Sequence, residues 1–352
     1  RIVSAPRLDE EPVLDDNGLE FVAIIETYPE VQPIEVADIS IERPDVSVTD
    51  DDVSTMIETL QKQRITWEDV DRKPGDGDQA LVEYTAVTDK GTVPEEGVQR
   101  LAIILGESGF EALEKEVRKM SAGDKKDIKL TFPEDYRESA LAGKKAKVAL
   151  TLDKVQQGSL PEVDEAFIKA FGIESGEVDD LRVEVRSNLE RELSQAVTTQ
   201  LKAQLASRLL EMNEDLEVPE SIVNSEARSM LQQMLQGAEI EITDEMLEHF
   251  REPARKRVRS GMLFGELASQ NEITIDAIKV REAVETIAQT YEEPREVIQM
   301  YYSEQRLLQS VENSVLESQV VDWVVDNAKV TDKAMSFQEA INAATEAAGQ
   351  QR

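Results

Sequence analysis

Ala122-Gly123-Asp124-Lys125-Lys126, followed by Thr131-Phe132-Pro133-Glu134-Asp135-Tyr136 and Leu141-Ala142-Gly143-Lys144, is the stretch that decides the fold. A glycine turn opens it, an apolar run from Asp127 to Phe132 reads as a strand, and Pro133 ends the ladder because proline has no N–H to donate. Three more β-rich runs, Ala80 to Val87, Arg100 to Leu105 and Ala146 to Val155, flank it with glycine-containing turns between them. With a short helix over Phe110 to Lys119, the segment reads as an α+β domain of under about 100 residues, an antiparallel sheet wrapped around one helix.

Texture changes at Pro161, after which the chain is nearly pure amphipathic helix. Leu181, Val185, Leu189, Leu193, Val197, Leu201, Leu205 and Leu209 recur every fourth residue on one long helix. Four residues turn an α-helix by about 400°, so this stripe drifts by about 40° at each step and the buried face has to migrate along the axis. Pro219 opens the next helix. Thr243 or Asp244 caps another that carries Pro253 as an expected kink, and helices over Asp276 to Tyr291, Pro294 to Tyr302 and Glu304 to Asn327 follow. Ser336 with Glu339 forms a last capping box.

Upstream of the sheet, Arg1 to Gly18 reads as a Pro- and Asp-rich arm, Leu19 to Glu26 as a strand, and Ile39 to Glu42 as a second extended segment. Thr49 with Asp52 caps a helix expected from about Asp50 to Trp67. Lys73-Pro74-Gly75-Asp76-Gly77-Asp78 is a breaker cluster and the expected domain boundary.

Composition limits the chemistry. The 352 residues carry 73 acidic and 39 basic side chains, a formal charge of −34 that repels phosphate backbones, so nucleic acid is not an expected partner. The densest basic group, Arg251, Arg255, Lys256, Arg257 and Arg259, reads as a solvated helix face balancing acidic neighbours. There is no cysteine and one histidine, His249. Disulfides, thiolate nucleophiles, histidine triads and multi-histidine metal sites are thereby excluded, and His249 reads as a helix-surface residue. No apolar run approaches the roughly 18 residues that span a bilayer, so no membrane association is expected. The chain starts Arg1-Ile2-Val3, without Met or a signal-peptide layout, and reads as part of something longer.

Further phrases occur in order: Tyr28-Pro29-Glu30, Leu60-Gln61-Lys62-Gln63 with Trp67, Leu160-Pro161-Glu162, Phe167-Ile168 with Phe171-Gly172, and Tyr291-Glu292-Glu293-Pro294-Arg295-Glu296-Val297-Ile298. Taken together with the Phe132 stretch, they resemble the bacterial trigger factor family over essentially the whole chain. The resemblance implies a multidomain α+β protein, with a small FKBP-like antiparallel sheet domain and a large all-α chaperone domain with helical arms. Its divisions are 1–30 as the remnant of an N-terminal ribosome-binding domain, 31–73 as linker and helix packing with the C-terminal part, 74–158 as an FKBP-type prolyl isomerase domain, and 159–352 as the helical chaperone domain. The family's Gly-Phe-Arg-x-Gly-x-x-Pro ribosome signature does not occur, so ribosome docking is implied for the intact protein and falls on no residue of this chain.

By position, the resemblance makes Tyr84, Phe110, Leu113, Phe132 and Tyr136 the catalytic pocket, with Val117 and Val148 beside them. Phe110-Glu111-Ala112-Leu113-Glu114 stands where the family has Ile-Pro-Gly-Phe-Glu, and Val93 and Val148 stand where aromatics are usual. Met230, Met234 and Met262, with Met246, Met300 and Met335, are expected on an adaptable apolar surface for unfolded chains. The alternative for each is a core methionine, and for Tyr84, Phe110 and Phe132 the core of a small β-domain.

The implied activity is ATP-independent holding of nascent or unfolded polypeptides in the cytoplasm, assisting folding and export, together with peptidyl-prolyl isomerisation. No cofactor is expected, and the absence of a Gly-x-x-x-x-Gly-Lys-[Ser/Thr] loop agrees with the ATP independence. A weak homodimer is the remaining partner considered. The alternative function is a chaperone-only protein whose FKBP-like domain is a catalytically weak peptide-binding module. A parvulin-type periplasmic chaperone fits poorly, since its site uses histidines, and a purely structural adaptor leaves the isomerase-like segment unexplained.

Overall fold

In the computed structural model, residues 2–3, 6–8, 13–15, 18–20, 22–89, 91–235, 242–291 and 293–350 are described. The chain forms two compact units, one of Arg1–Val48 with Asn188–Arg352, the other of Thr49–Ser187.

The second unit begins with α1 (Asp50–Gln63). Thr49 N–H donates to Asp52 Oδ2 (2.8 Å) and Asp52 N–H to Thr49 Oγ1 (3.2 Å), the capping box expected from the sequence. Val53 and Ile57 are its buried positions. The helix stops at Gln63, four residues short of the expected Trp67, because Thr66–Asp69 pairs as strand β6 with the far end of a long strand. Trp67 lies opposite Gly158 there, and a Cβ on Gly158 would stand 2.5 Å from Ile65 Cδ1 and 3.0 Å from the Trp67 ring, so a larger residue would require those side chains to shift.

The sheet is antiparallel throughout. Strand β7 (Gln79–Thr88) is central, pairing with β8 (Gly91–Val93), β9 (Gln99–Ile104) and β11 (Lys145–Ser159), while β10 (Lys125–Thr131) flanks β11. Strict alternation buries Ala80, Val82, Tyr84 and Ala86 from β7 and Ala146, Val148, Leu150 and Leu152 from β11 on one face. A bulge after Leu152 shifts the register, so that Val155 returns to the same core. The single helix over that face, α2 (Glu111–Val117), contributes Leu113 and Val117.

The Lys73–Asp78 breaker lies inside this unit and is a fixed turn. Asp78, only 4% exposed, accepts from Gly75 N–H (2.7 Å) and is gripped through both oxygens by the Arg72 guanidinium, with Nη2 to Oδ1 at 2.9 Å. After the sheet come the short α3 (Glu165–Lys169) and the first turns of α4 (Val178–Met212), where Arg182 donates to Ser54 Oγ (3.4 Å) and Arg186 pairs with Asp50.

The drift of the α4 stripe is resolved by two shorter steps. Leu181, Val185, Leu189 and Leu193 are buried at intervals of four, then Ala196 follows by three, Gln200 by four and Leu201, Leu205 and Leu209 resume one residue on. The buried face is thereby re-aimed midway, and the boundary between the units falls within this same helix.

In the first unit, the Leu201, Leu205 and Leu209 end of α4 packs with Leu263, Phe264 and Leu267 of α6 (Asp244–Gln270) and with Val320, Val321 and Val324 of α9 (Gln305–Asn327). Ile34, Val36, Ile39 and Ile41 close this core from the early chain. The extended segment there, β5 (Ser40–Asp45), pairs in parallel with β12 (Lys329–Ala334), so a region expected to be all helix contains one strand pair. Gln204 completes the edge, its amide exchanging two 2.9 Å hydrogen bonds with the Glu42 backbone as a strand would. The stretch 31–73, expected to accompany the helical part as a whole, is thus divided: up to Val48 it belongs with the helices, and from Thr49 with the sheet.

Two smaller clusters complete the unit. Helix α5 (Glu220–Leu235) packs on α6 through Val223, Ala227, Met230 and Ala254, while Arg255–Glu220 (2.7 Å) and Arg257–Glu226 (3.1 Å) pair acids with the basic run. Pro253 lies inside α6. Helices α7 (Ala277–Ala288), α8 (Pro294–Ser303) and α9 share Val280, Val284, Val311 and Val315. The last helix, α10 (Phe337–Gln350), starts at the Ser336–Glu339 capping pair and accepts a hydrogen bond from buried Gln200 at Ala340 O (2.6 Å). At the start of the chain, strands β1 (Arg7–Leu8) and β4 (Ala23–Ile24) pair with each other, as do β2 (Val13–Asp15) and β3 (Gly18–Glu20). The expected strand over 19–26 is therefore two short pieces, with Phe21 outside the described residues.

The Arg72 hydrogen bond is the main reason the Asp78 carboxyl lies below its usual range, with Gly75 N–H adding to it and burial opposing. A depressed pKa contributes stability that is present above the unfolded value of about 4 and is lost as pH falls through the folded value. Arg72 is 45% exposed, so the ion-pair share is modest. Asp78→Asn is expected to cost about 1 kcal/mol at neutral pH and to flatten the acid limb of the stability curve, read by Trp67 fluorescence in a Trp323→Phe background.

Candidate functional site

Four aromatic rings meet where β7, the start of α2 and the turn after β10 converge. Phe132 is the hub, with ring centroids 4.8 Å from Tyr136, 5.3 Å from Phe110 and 6.2 Å from Tyr84. Phe110 and Tyr136 lie 5.9 Å apart, edge to face. These tilted arrangements set ring edges against ring faces, the favoured geometry for such pairs. The Tyr84 and Tyr136 hydroxyls are 2.8 Å apart, which satisfies a phenol that would otherwise be buried alone. Burial first, and the Tyr136 hydroxyl second, push the Tyr84 phenol well above its ordinary range, so it is a neutral hydrogen-bonding group at any physiological pH.

A cleft of about 460 Å³ opens beside this cluster. Its walls are Leu101 and Ile103 of β9, Phe110 at the head of α2, and Pro133 and Tyr136 of the turn after β10, with Asp135 and Arg137 at the rim. One side of the rim is the loop Gly106–Phe110. Glu114, one turn into α2, accepts from Gly106 N–H (2.8 Å), Ser108 N–H (3.2 Å) and Ser108 Oγ (2.6 Å). Burial is the largest influence on Glu114 and pushes its pKa up, but the hydrogen bonds from Ser108, Gly106 and Arg118 together outweigh it, and the carboxyl lies below its usual range.

Of the residues expected at the site, Phe110 and Tyr136 line the cleft, while Tyr84 and Phe132 stand behind them in ring contact. Leu113, Val117 and Val148 are buried in the core beneath. Leu101, Ile103 and Pro133 were not anticipated. For the two aliphatics, the alternation along Gln99–Ile104 was the available signal, whereas nothing in the sequence marks the loop at Glu107 and Ser108. Among the methionines, Met234 and Met300 are exposed, Met262 is half-buried against the α5–α6 cluster, and Met230 is a core residue, which corrects its expected place on an apolar binding surface.

Two other depressions lack this character. One of about 610 Å³, at the Val87–Lys145 end of the sheet, has Lys129, Lys145 and Lys147 on its walls and no aromatic ring. The other, about 420 Å³, is an apolar groove among α7, α8 and α9 that includes Ile287, Tyr301 and Val311. Among the described residues, no cluster of His, Asp or Glu could hold a metal ion, and no helix is long and apolar enough to cross a membrane.

Comparison with known proteins assigns all three parts of the chain. The family model for the bacterial trigger factor C-terminus matches residues 177–326, that for the bacterial trigger factor protein matches 1–60, and that for FKBP-type peptidyl-prolyl cis-trans isomerase matches 70–153. A trigger factor of Stenotrophomonas maltophilia (strain K279a) is 38% identical over 97% of this chain and 80% of its own length. That of Colwellia psychrerythraea is 40% identical over 93% of this chain and 77% of its own. This chain belongs to the trigger factor family. It is accordingly a folding chaperone with an FKBP-type peptidyl-prolyl cis-trans isomerase domain, and the alternative, a chaperone-only protein whose FKBP-like domain is a catalytically weak peptide-binding module, is not favoured. The N-terminal family model extends to residue 60, so the N-terminal part is more than the remnant over 1–30 expected from the missing signature. A solved structure described as "Promiscuous Substrate Recognition in Folding and Assembly Activities of the Trigger Factor Chaperone" aligns over 93% of this chain and 80% of that one, at 16% identity and a TM-score of 0.41, too loose for its arrangement to be carried over.

Removing one member of the hydroxyl pair tests the account of the cluster. Tyr84→Phe is expected to destabilise the sheet unit by about 1 kcal/mol in denaturant unfolding, while prolyl isomerisation of a short peptide persists, because the ring that backs the cleft is retained.

Proposed function

We propose that the cleft between Phe110 and Tyr136 binds the prolyl ring of a client and favours the twisted amide. Rotation about an X-Pro bond is opposed by amide resonance, a barrier of about 18 to 20 kcal/mol. Twisting uncouples the nitrogen from the carbonyl and reduces the dipole, so a dry apolar wall stabilises the twisted form more than the planar one. The reaction needs no acid, base or metal. What it needs is a rigid aromatic surface, and the observation that carries this reading is the packing of Phe132 against both rings of the cleft.

The helical unit supplies the holding function in the same reading. Ile278, Tyr291, Met300 and Tyr302 are all exposed, scattered among charged neighbours on and around α7 and α8, beside the apolar groove that Tyr301 and Val311 help line. Dispersed, adaptable apolar side chains in a polar frame bind many unfolded segments weakly without committing to one. No nucleotide takes part in this scheme. The remaining parts of the proposal are a cytoplasmic setting, ribosome docking through the N-terminal part, and weak self-association.

The two activities are separable. Phe110→Leu keeps an apolar side chain of similar volume but removes the ring. It is expected to lower kcat/KM for cis–trans isomerisation of an X-Pro tetrapeptide about tenfold, equivalent to about 1.4 kcal/mol of transition-state stabilisation, while suppression of aggregation of a denatured client stays at the level of the parent chain. Unchanged isomerisation in a folded Phe110→Leu protein would remove the cleft from the mechanism.

A further inference from the structure

The loop Gly106–Phe110 has little of its own to hold it. It crosses from β9 to α2 through two glycines at positive φ, Gly106 (95°) and Gly109 (68°), a backbone that side chains rarely adopt. Helix α2 begins at Phe110 without any side-chain cap. Besides the Glu107 N–H bond to Ile104 O (3.2 Å) and the packing of the Phe110 ring, what fixes this segment is one carboxylate.

Glu114 is 7% exposed and faces back along its own helix toward the loop. Its Oε2 accepts from Gly106 N–H (2.8 Å) and its Oε1 from Ser108 N–H (3.2 Å) and the Ser108 hydroxyl (2.6 Å). The same hydroxyl oxygen accepts from Phe110 N–H (3.2 Å), so a short chain of hydrogen bonds joins Glu114 to the backbone of the residue whose ring forms the cleft wall. On its outer side, Glu114 is held by Arg118 (3.2 Å), which also pairs with Asp76 (2.5 Å). Every contact on the carboxylate is a donor, so the site suits an anion.

We propose that Glu114 is a positioning residue for the isomerase: its carboxylate holds the Gly106–Phe110 rim closed and thereby sets the Phe110 ring against the client proline. This rests on the reading of the cleft as the prolyl site. Glu114 does not itself line the cleft, so its effect passes through the fraction of molecules whose rim is in place. Apparent affinity falls in proportion to that fraction, whereas the rate of a correctly bound client does not. A rim that opens part of the time therefore raises KM and spares kcat. Irreversible loss of folded protein does the opposite, lowering the concentration of active protein and so apparent kcat at constant KM, while reversible global unfolding is separated by a denaturant curve that shows each variant fully folded under assay conditions.

The test is steady-state isomerisation of an X-Pro tetrapeptide by the full chain carrying Glu114→Gln, which keeps the shape but turns an amide N–H₂ toward donors. The expected result is a rise in KM of about five- to tenfold with kcat within about twofold of the parent. Ser108→Ala removes the link to Phe110 and leaves the Glu114–Arg118 pair intact. It is expected to raise KM in the same way by a smaller factor, and it decides the question should Glu114→Gln not fold. Adding Ser108→Ala to Glu114→Gln is expected to add little, since both act on one chain of bonds. Parent-like KM in both folded variants, or loss confined to kcat, overturns the proposal. Phe110→Leu separates the two levels of the argument: if it too isomerises like the parent, the cleft reading has failed, and if it alone is impaired, only the role of Glu114 has.

Discussion

The burial of Phe132 ties the β-domain and its cleft together. Its ring packs on Phe110 from the helix, Tyr136 from the following turn and Tyr84 from the central strand. The first two of these rings, Phe110 buried and Tyr136 half-buried, also line the cleft. In the proposed reading, core packing and function rest on the same contacts. Protein interiors are close-packed, so the wall of such a cleft cannot move without displacing the rings behind it, and rigidity is what a twisted amide needs from its surroundings. The hydroxyl pair and the Glu114 network complete the arrangement by satisfying the polar groups that the aromatic cluster and the glycine loop bury.

The helical unit follows a different physical logic. Its core is mainly aliphatic, drawn from α4, α6 and α9 and closed by Ile34 to Ile41, with the β5–β12 pair fastening chain segments nearly three hundred residues apart and Gln204 joining the Glu42 backbone across 162 residues. Its smaller clusters use valine and alanine at the contacts, leaving larger side chains such as Ile278, Met300 and Tyr302 outside. The chain as a whole carries a formal charge of −34, and like charge of that size repels other copies of the same chain.

Much of this could be read from the sequence where a local rule governs. The capping boxes at Thr49 and Ser336 and the alternation of β7 and β11 each follow from neighbouring residues, whereas the four aromatic positions follow from the family resemblance. Failures arose where a distant partner decides the outcome. Trp67 was given to a helix because nothing nearby reveals its pairing with Gly158. Lys329 to Ala334 has no apolar alternation, and becomes a strand only because β5 offers it a backbone. The strict leucine spacing of α4 gave the need for a migrating face but not the steps through Ala196 and Gln200 that supply it. Met230 and Met234 lie one turn apart on the same side of α5, yet Met230 is buried against α6 and Met234, next to the last residue of the helix, is exposed. The hydrogen bonds of Glu114 have no local signal beyond its match to the glutamate of the family's Ile-Pro-Gly-Phe-Glu phrase, since a glutamate one turn into a helix is ordinary until its loop partners are seen.

The most direct measurement is the refolding of a client whose slow phase is prolyl isomerisation, a process of tens to hundreds of seconds when uncatalysed, with the chain present far below the client concentration. The account predicts that the slow phase accelerates in proportion to the amount of chain, because the helical unit holds the client while the aromatic cleft turns over. A slow phase unaffected at catalytic amounts, and merely retarded at stoichiometric ones, would contradict it.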